Sequence, residues 1–212
     1  MGIEPVVYGA PYSVYVRAVR LALEEKGVPY RLVPIDVFTP DGPPKEYLIR
    51  QPFGRIPAFE HGDFQLYEAG AITRYVDEAF PGPALQPTAP QLRARTHQVM
   101  SILDSYAYRT LVWDIYVERV SVPKGGGVSD EQKIRDAIPR AVTCISALQQ
   151  IMLAGPFLTG PALTLADLHA APMFAYFIMA PEAHQLLALY PSLTEWWDRM
   201  AMRRSMTSTV YP

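Results

Sequence analysis

The chain has 212 residues, and its 19 Lys and Arg against 21 Asp and Glu leave a formal charge of −2, which excludes nucleic-acid binding driven by bulk electrostatics. Half the residues are apolar, with 3 Trp, 13 Tyr and 8 Phe among them, which excludes a disordered polymer and supplies volume for a sizeable core. A single cysteine, Cys144, excludes an intrachain disulfide, and no Cys/His spacing resembles a zinc site, so no metal is expected and a reducing compartment fits.

The opening MGIEPVVYGAPYS has neither the basic start nor the long apolar run of a secretory signal, and Gly2 is not followed by the Ser or Thr that myristoylation requires. The longest apolar stretch, residues 170–180, is far short of the roughly 20 residues of a membrane span. The expectation is a soluble, cytoplasmic protein with neither a nucleic-acid nor a membrane partner.

In chain order, residues 6–8 predict a strand, and residues 13–26 a helix with Val16, Val19, Ala22 and Leu23 on its apolar face, closed by Gly27. A strand follows at 30–37. After a Pro/Gly-rich loop, 56–60 and 64–67 flank His61-Gly62-Asp63 as a hairpin, and 69–80 predict a helix. The first two strands, joined through a helix, are most simply parallel with a right-handed crossover. The stretch PGPALQPTAP, residues 81–90, carries Pro and Gly without periodicity and is expected to be a linker. Everything beyond it is helical. Residues 91 to about 120 form one long segment, broken by PKGGG at 123–127. Ser129 with Gln132 predicts a capping box for a helix reaching about residue 153, with Pro139 kinking it or near its start. Thr164 with Asp167 predicts a second box, for a helix bearing Leu168, Ala171, Phe174 and Ala175 with Pro172 inside it. Two further helices, about 182–189 and 192–202, precede a short polar tail. The fold class expected is an α/β domain of order β-α-β, β-β-α followed by an all-helical domain.

Three segments carry chemistry. Tyr8-Gly-Ala-Pro-Tyr-Ser13 hands a strand over to a helix, where unpaired N–H groups and the positive end of the helix dipole favour an anion. Ser13 either points its hydroxyl at such an anion or merely caps the helix; Tyr8 is the rival hydroxyl. Gln51-Pro-Phe-Gly-Arg-Ile-Pro57 leads into the hairpin. A cis Ile56-Pro57 bond would turn the Ile56 backbone outward to pair with an extended peptide, whereas a trans loop is the default for an X-Pro bond. Glu68-Ala-Gly-Ala71 opens a second helix, with free amides for a carboxylate and an acidic side chain for an ammonium.

Taken together with LALEEKGVPYRLVPID, QPFGRIPAF, QLYEAGAI and LTGPALTLADL, these segments resemble, in order and over nearly the whole chain, the cytosolic glutathione transferase family. The resemblance implies a thioredoxin-like glutathione-binding domain over 1–80, the linker at 81–90, an all-helical domain over 91–212 that lines a hydrophobic substrate site, and a homodimer. It is nearest the serine-type classes, phi, theta and zeta, in which a Ser at this place contacts the glutathione sulfur. Carried over, Ser13 is the sulfur partner with Tyr8 as alternative, Ile56 pairs with the cysteinyl part, Glu68 and Ala69 hold the γ-glutamyl end, and Arg55 or Lys45 meets the glycyl carboxylate. Two places depart from the pattern. Relatives usually read Glu-Ser where this chain reads Glu68-Ala69, so one hydroxyl is missing, and the loop at 40–44 lacks the basic tract of some phi enzymes.

Tyr106, Arg109, Trp113 and Tyr116 recur at helical spacing as an aromatic face with one cation. That suits core or dimer contact, and the resemblance adds the wall of the electrophile site. It also gives Asp104 the γ-glutamyl ammonium of the partner subunit. Thr164 and Asp167 are assigned to folding, Cys144 to packing, and His61, His97, His169 and His184 to no catalytic triad. The expected activity is addition of the glutathione sulfur to small hydrophobic electrophiles, with glutathione as co-substrate. The alternatives are a transferase-fold binding module without turnover, or another glutathione-dependent reaction such as isomerisation or peroxide reduction.

Overall fold

Four short strands form one sheet in the order β2-β1-β3-β4: β1 (Val6–Tyr8), β2 (Arg31–Val33), β3 (Ala58–His61) and β4 (Phe64–Tyr67). The computed structural model describes residues 3–211, so the reading of Gly2 falls outside the described residues. β1 and β2 run parallel, with Val7 opposite Leu32, and α1 (Val14–Lys26) is their crossover; β3 lies antiparallel to both β1 and β4. Two strands are shorter than their apolar runs suggest. β2 stops at Val33 because Pro34 has no N–H for the ladder, and β3 starts only after Pro57 for the same reason.

α1 begins at its N-cap Ser13 and ends at Gly27, whose φ of 68° is the left-handed conformation that closes helices. Its apolar face, Val16, Val19, Ala22 and Leu23 included, is fully buried. α2 (Ala69–Ala79) lies against α1. Lys26, nearly buried, joins the two: its ammonium meets Asp77 Oδ1 at 3.2 Å and donates to the carbonyls of Asp77 and Pro83 at 2.8 and 3.1 Å.

The chain forms two compact units, one running to Gln86 and taking back the residues from Arg204 onward, the other Pro87–Arg203. The tail predicted as a polar end of the helical domain is thus a short helix, α9 (Arg204–Ser208), packed on α1. The reason is a set of specific bonds: Arg17 Nη2 donates to the Met206 carbonyl at 2.9 Å, and the Met206 and Thr209 side chains are buried.

In the second unit, α3 (Pro90–Ile102) continues into a π-helical segment (Leu103–Ser121) and a single turn, α4 (Val122–Lys124), before α5 (Glu131–Ile151), α6 (Leu165–Phe177), α7 (Pro181–Leu187) and α8 (Pro191–Ala201). α6 is buried along almost its whole length and is the core of this unit. Its N-terminus carries the expected Thr164–Asp167 box. The cap of α5 is Asp130 rather than Ser129: Asp130 Oδ1 accepts the Lys133 amide at 3.0 Å, while the Ser129 hydroxyl donates to the Glu118 carbonyl at 2.7 Å. A carboxylate caps at least as well as a hydroxyl, and Ser129 has a closer acceptor elsewhere. Pro139 and Pro172 lie inside their helices. Cys144 is buried, and burial pushes its thiol pKa up, which suits packing.

Candidate functional site

The sheet register brings the three chemistry-bearing segments to one edge of the N-terminal unit. Tyr8 pairs with Ala58, and Ala58 pairs with Tyr67. The residues just beyond each, Gly9, Pro57 and Glu68, therefore leave the sheet at the same end. Two interstrand spacings of about 4.8 Å separate β1 from β4, roughly 10 Å, which is also about the length of an extended tripeptide. Two helices, α1 and α2, start at this edge, and each presents unpaired amides and a positive dipole end.

Ser13 caps α1 with φ −69° and ψ 129°, and its Oγ accepts the Val16 amide at 3.4 Å. That bond is long and uses the hydroxyl only as acceptor, so the capping role leaves the O–H proton available to a further acceptor. The rival hydroxyl is committed elsewhere. Tyr8 donates to Glu60 Oε2, and Glu60 Oε1 takes Arg50 Nε at 2.7 Å and Gln65 Nε2 at 3.0 Å. The Arg50 guanidinium also stands 4.8 Å over the Tyr8 ring. Burial first, and the Glu60 carboxylate second, raise the Tyr8 pKa, so the phenol is neutral and engaged at neutral pH. Glu60 and Arg50 carry no motif; pairing β1 with β3 is what makes them visible.

The loop before β3 is held from within. Gln51, almost fully buried, accepts the amides of Phe53 at 2.7 Å and Arg55 at 3.3 Å on its Oε1, and the Tyr47 hydroxyl donates to the Arg55 carbonyl at 2.6 Å. Ile56-Pro57 is cis, against the trans default. Gly9 is required at the handover: at φ 155°, a Cβ placed on it would lie 2.4 Å from Val16 Cγ2 and 3.2 Å from Ile56 Cβ. Only glycine lets the start of α1 and Ile56 approach this closely.

Glu68 caps α2 with φ 72°, the one non-glycine residue among those described with a left-handed φ. Its carbonyl accepts the Ala71 and Ile72 amides at 3.0 and 2.9 Å, while its exposed carboxylate makes no capping bond. Ala69 is buried as the first residue of α2, so its amide has no partner within the helix. Arg55 and Lys45 are both exposed, Arg55 in the Gln51-held loop and Lys45 just before a 3-10 turn at Tyr47–Ile49.

In the helical unit the predicted aromatic face is not a single wall. Tyr106 is exposed, Tyr116 stacks on Tyr176 at 4.5 Å, and Trp113 is half-buried. Arg109 turns to Asp114 at 3.0 Å, a buried carboxylate that Arg140 also reaches at 3.1 Å. Asp104, at the junction of α3 and the π-helical segment, holds its carboxylate half in solvent and takes the Nε2 of the buried His169 at 2.7 Å. His169 was legible only as a histidine in no triad. Among the described residues no cluster of three or more His, Cys, Asp or Glu is placed to hold a metal, and no helix is long and apolar enough to cross a membrane.

Comparison with known proteins adds the following. A family profile described as glutathione S-transferase, N-terminal domain, matches residues 7–84, and one described as glutathione S-transferase, C-terminal domain, matches residues 131–199. The probable glutathione S-transferase GSTF1 of Oryza sativa subsp. japonica is 30% identical over 203 residues, covering 94% of this chain and 92% of its own. Among solved structures, glutathione S-transferase III in its apo form superposes with a TM-score of 0.84 at 26% identity over 99% of both chains. Glutathione S-transferase I from maize, in complex with an atrazine–glutathione conjugate, does so at 0.82 and 25% identity over 97% of this chain and 96% of its own. The sheet and helices of the first unit are thioredoxin-like, as the fold class expected, and the second unit is the helical domain of these structures.

Proposed function

Because the chain belongs to the glutathione S-transferase family, an enzyme that conjugates glutathione to electrophiles, we propose that Ser13 holds the glutathione sulfur as its thiolate. The observation that carries this reading is the shared sheet edge at which the Ser13, Ile56 and Glu68 segments emerge over roughly the length of a tripeptide. Glutathione lies along that edge with its sulfur at the start of α1, its cysteinyl backbone against Ile56, and its γ-glutamyl end at Glu68 and the Ala69 amide. Arg55 or Lys45 meets the glycyl carboxylate.

The chemistry needs the thiolate, since a thiol of pKa about 8.5 is mostly protonated at pH 7. Lowering that pKa by about two units takes about 2.7 kcal/mol of preference for the anion. A hydroxyl bond to a charged acceptor contributes about 1.5–3 kcal/mol, and a helix N-terminus adds about 0.3–1 kcal/mol. Ser13 and the α1 start together reach that sum without a general base. The thiol proton leaves to water, and the sulfur attacks the electrophile. A small hydrophobic electrophile is the substrate class this reading favours, and the atrazine conjugate bound by the maize enzyme is in keeping with it. The protein works as a cytoplasmic homodimer, in which Asp104, steadied by His169, receives the γ-glutamyl ammonium of the partner subunit.

The test is the ultraviolet absorbance of bound thiolate across a pH series. Wild-type protein is expected to ionise bound glutathione at about 6.5 rather than 8.5, and Ser13→Ala to return it towards 8.5 with affinity largely kept. Tyr8→Phe is expected to leave the titration in place. The reverse pattern, with Tyr8→Phe shifting it and Ser13→Ala not, overturns the serine assignment.

A further inference from the structure

Glu60, on β3, ties three strands to the loop that precedes it. Its Oε1 accepts Arg50 Nε at 2.7 Å and Gln65 Nε2 of β4 at 3.0 Å, and its Oε2 accepts the hydroxyl of Tyr8, the last residue of β1. The Arg50 guanidinium lies over the Tyr8 ring, 4.8 Å from its centroid. The Arg50 and Glu60 side chains are 33% and 17% exposed, so solvent screens the pair only in part.

The loop that carries Arg50 is stiff within itself. The hydroxyl of the buried Tyr47 donates to the Arg55 carbonyl at 2.6 Å, and Gln51 Oε1 accepts the Phe53 and Arg55 amides. The Arg50 and Gln51 amides both return to the Tyr47 carbonyl, at 2.9 and 3.1 Å. Residues 47–55 are therefore braced as one block. The block meets the sheet through Ile56-Pro57 and through side chains, Arg50 on Glu60 and Tyr8, and Phe53 edge-on to Tyr67 at 6.1 Å. Of these contacts, the Arg50 pair alone is charged and hydrogen-bonded. Ile56 follows the block directly, and its N–H and carbonyl have no hydrogen-bond partner among the described residues. Such a free backbone edge can pair with an extended peptide only when its direction is held.

We propose that Arg50 is a positioning residue for glutathione: paired with Glu60 and laid on Tyr8, it sets the tilt of the 47–55 block and so aims the Ile56 N–H and carbonyl. The inference rests on the placement of glutathione along the sheet edge and adds the residues that direct one of its contacts. Arg50 acts through Ile56 and not on the sulfur, whose partners stand at the start of α1. Its loss therefore removes binding energy that ground state and transition state share, which raises KM and leaves kcat in place.

The test uses the full-length protein and compares wild type with Arg50→Gln, Glu60→Gln, the double variant and Arg50→Lys. Calorimetric titration with S-methylglutathione gives Kd, the ultraviolet titration of bound glutathione gives the thiolate pKa, and thermal unfolding shows which variants are folded. Arg50→Gln and Glu60→Gln are each expected to raise Kd about 5- to 20-fold, the effect of a charge-assisted bond discounted for partial exposure. The double variant should be no weaker than the worse single one, since both break the same pair. Arg50→Lys keeps the charge and is expected to recover most of the affinity. The KM for glutathione should rise with Kd, while kcat at saturating glutathione and the bound thiolate pKa stay near wild type. Wild-type affinity in a folded Arg50→Gln, losses that add in the double variant, or a thiolate pKa that moves with the affinity each overturn the inference. Should Arg50→Gln fail to fold, Glu60→Gln decides on the same terms. A wild-type protein that binds S-methylglutathione but ionises glutathione no more readily than buffer does overturns the Ser13 reading and leaves the inference standing. One that does not bind S-methylglutathione overturns both.

Discussion

At φ 72°, Glu68 occupies a region that costs a non-glycine residue roughly 1–3 kcal/mol, and such strain persists where the surroundings over-determine it. Here the α2 start and the β4 ladder fix the backbone on both sides, and the exposed carboxylate is left outside the capping scheme. A carboxylate held this way suits an ammonium. Glu68→Gln keeps the shape and removes the charge, so it is expected to weaken S-methylglutathione by about 1.5–3 kcal/mol, roughly a 10- to 150-fold rise in Kd, with little change in kcat. Equal calorimetric affinities for the two proteins would remove Glu68 from the site. Ser13 and Glu68 were legible because each opens a helix where a strand hands over to it, Glu68 directly after β4 and Ser13 five residues after β1. Glu60 and Gln51 were not, because their partners lie elsewhere in the chain or in the backbone: Tyr8 is 52 positions from Glu60, and Gln51 binds amides rather than side chains.

Among elements, α6 shows how a local signal fixes a buried helix. The Thr164–Asp167 box was readable from four residues, but only packing reveals what Asp167 does beyond it. Its Oδ1 takes the Leu158 amide and the Trp196 indole N–H, each at 2.8 Å, and its Oδ2 takes the Thr164 amide at 2.8 Å and the Thr164 hydroxyl at 2.9 Å. A turn, a helix start and α8 therefore share one fully buried carboxylate. Asp167→Ala orphans several buried donors at once and is expected to cost about 3 kcal/mol or more, against about 1 kcal/mol for Thr164→Ala. Urea unfolding followed by Trp fluorescence measures both; similar small losses for the two would show that the wider network adds nothing. The strands were legible as elements but not in length, since proline ended or delayed them where apolar character continued. The Ser129 cap was misplaced by one residue because Ser and Asp stand side by side, and only the Glu118 carbonyl separates their roles.

For the molecule as a whole, chain order and structural membership diverge at the C-terminus, and no local pattern announces it. Residues from Arg204 onward belong with the N-terminal unit, although the whole helical unit separates them from it in sequence. Their attachment rests on burial of Met206, on the Arg17 and Arg20 bonds, and on the Ser205 hydroxyl donating to Glu25 Oε1. Burying a Met side chain contributes about 1.5–3 kcal/mol and each hydrogen bond about 0.5–1.5 kcal/mol. A chain ending at Arg203 is therefore expected to destabilise the N-terminal unit by about 3–7 kcal/mol. The distribution of tryptophan makes the effect separable: Trp113, Trp196 and Trp197, all 3 in the chain, lie in the Pro87–Arg203 unit. Fluorescence unfolding reports that unit alone, while hydrogen exchange at the α1 amides reports the other. The truncated chain should lose protection along α1 and keep its fluorescence transition nearly in place. Unchanged α1 exchange would mean that the tail is only lodged on the helix and adds nothing to its stability.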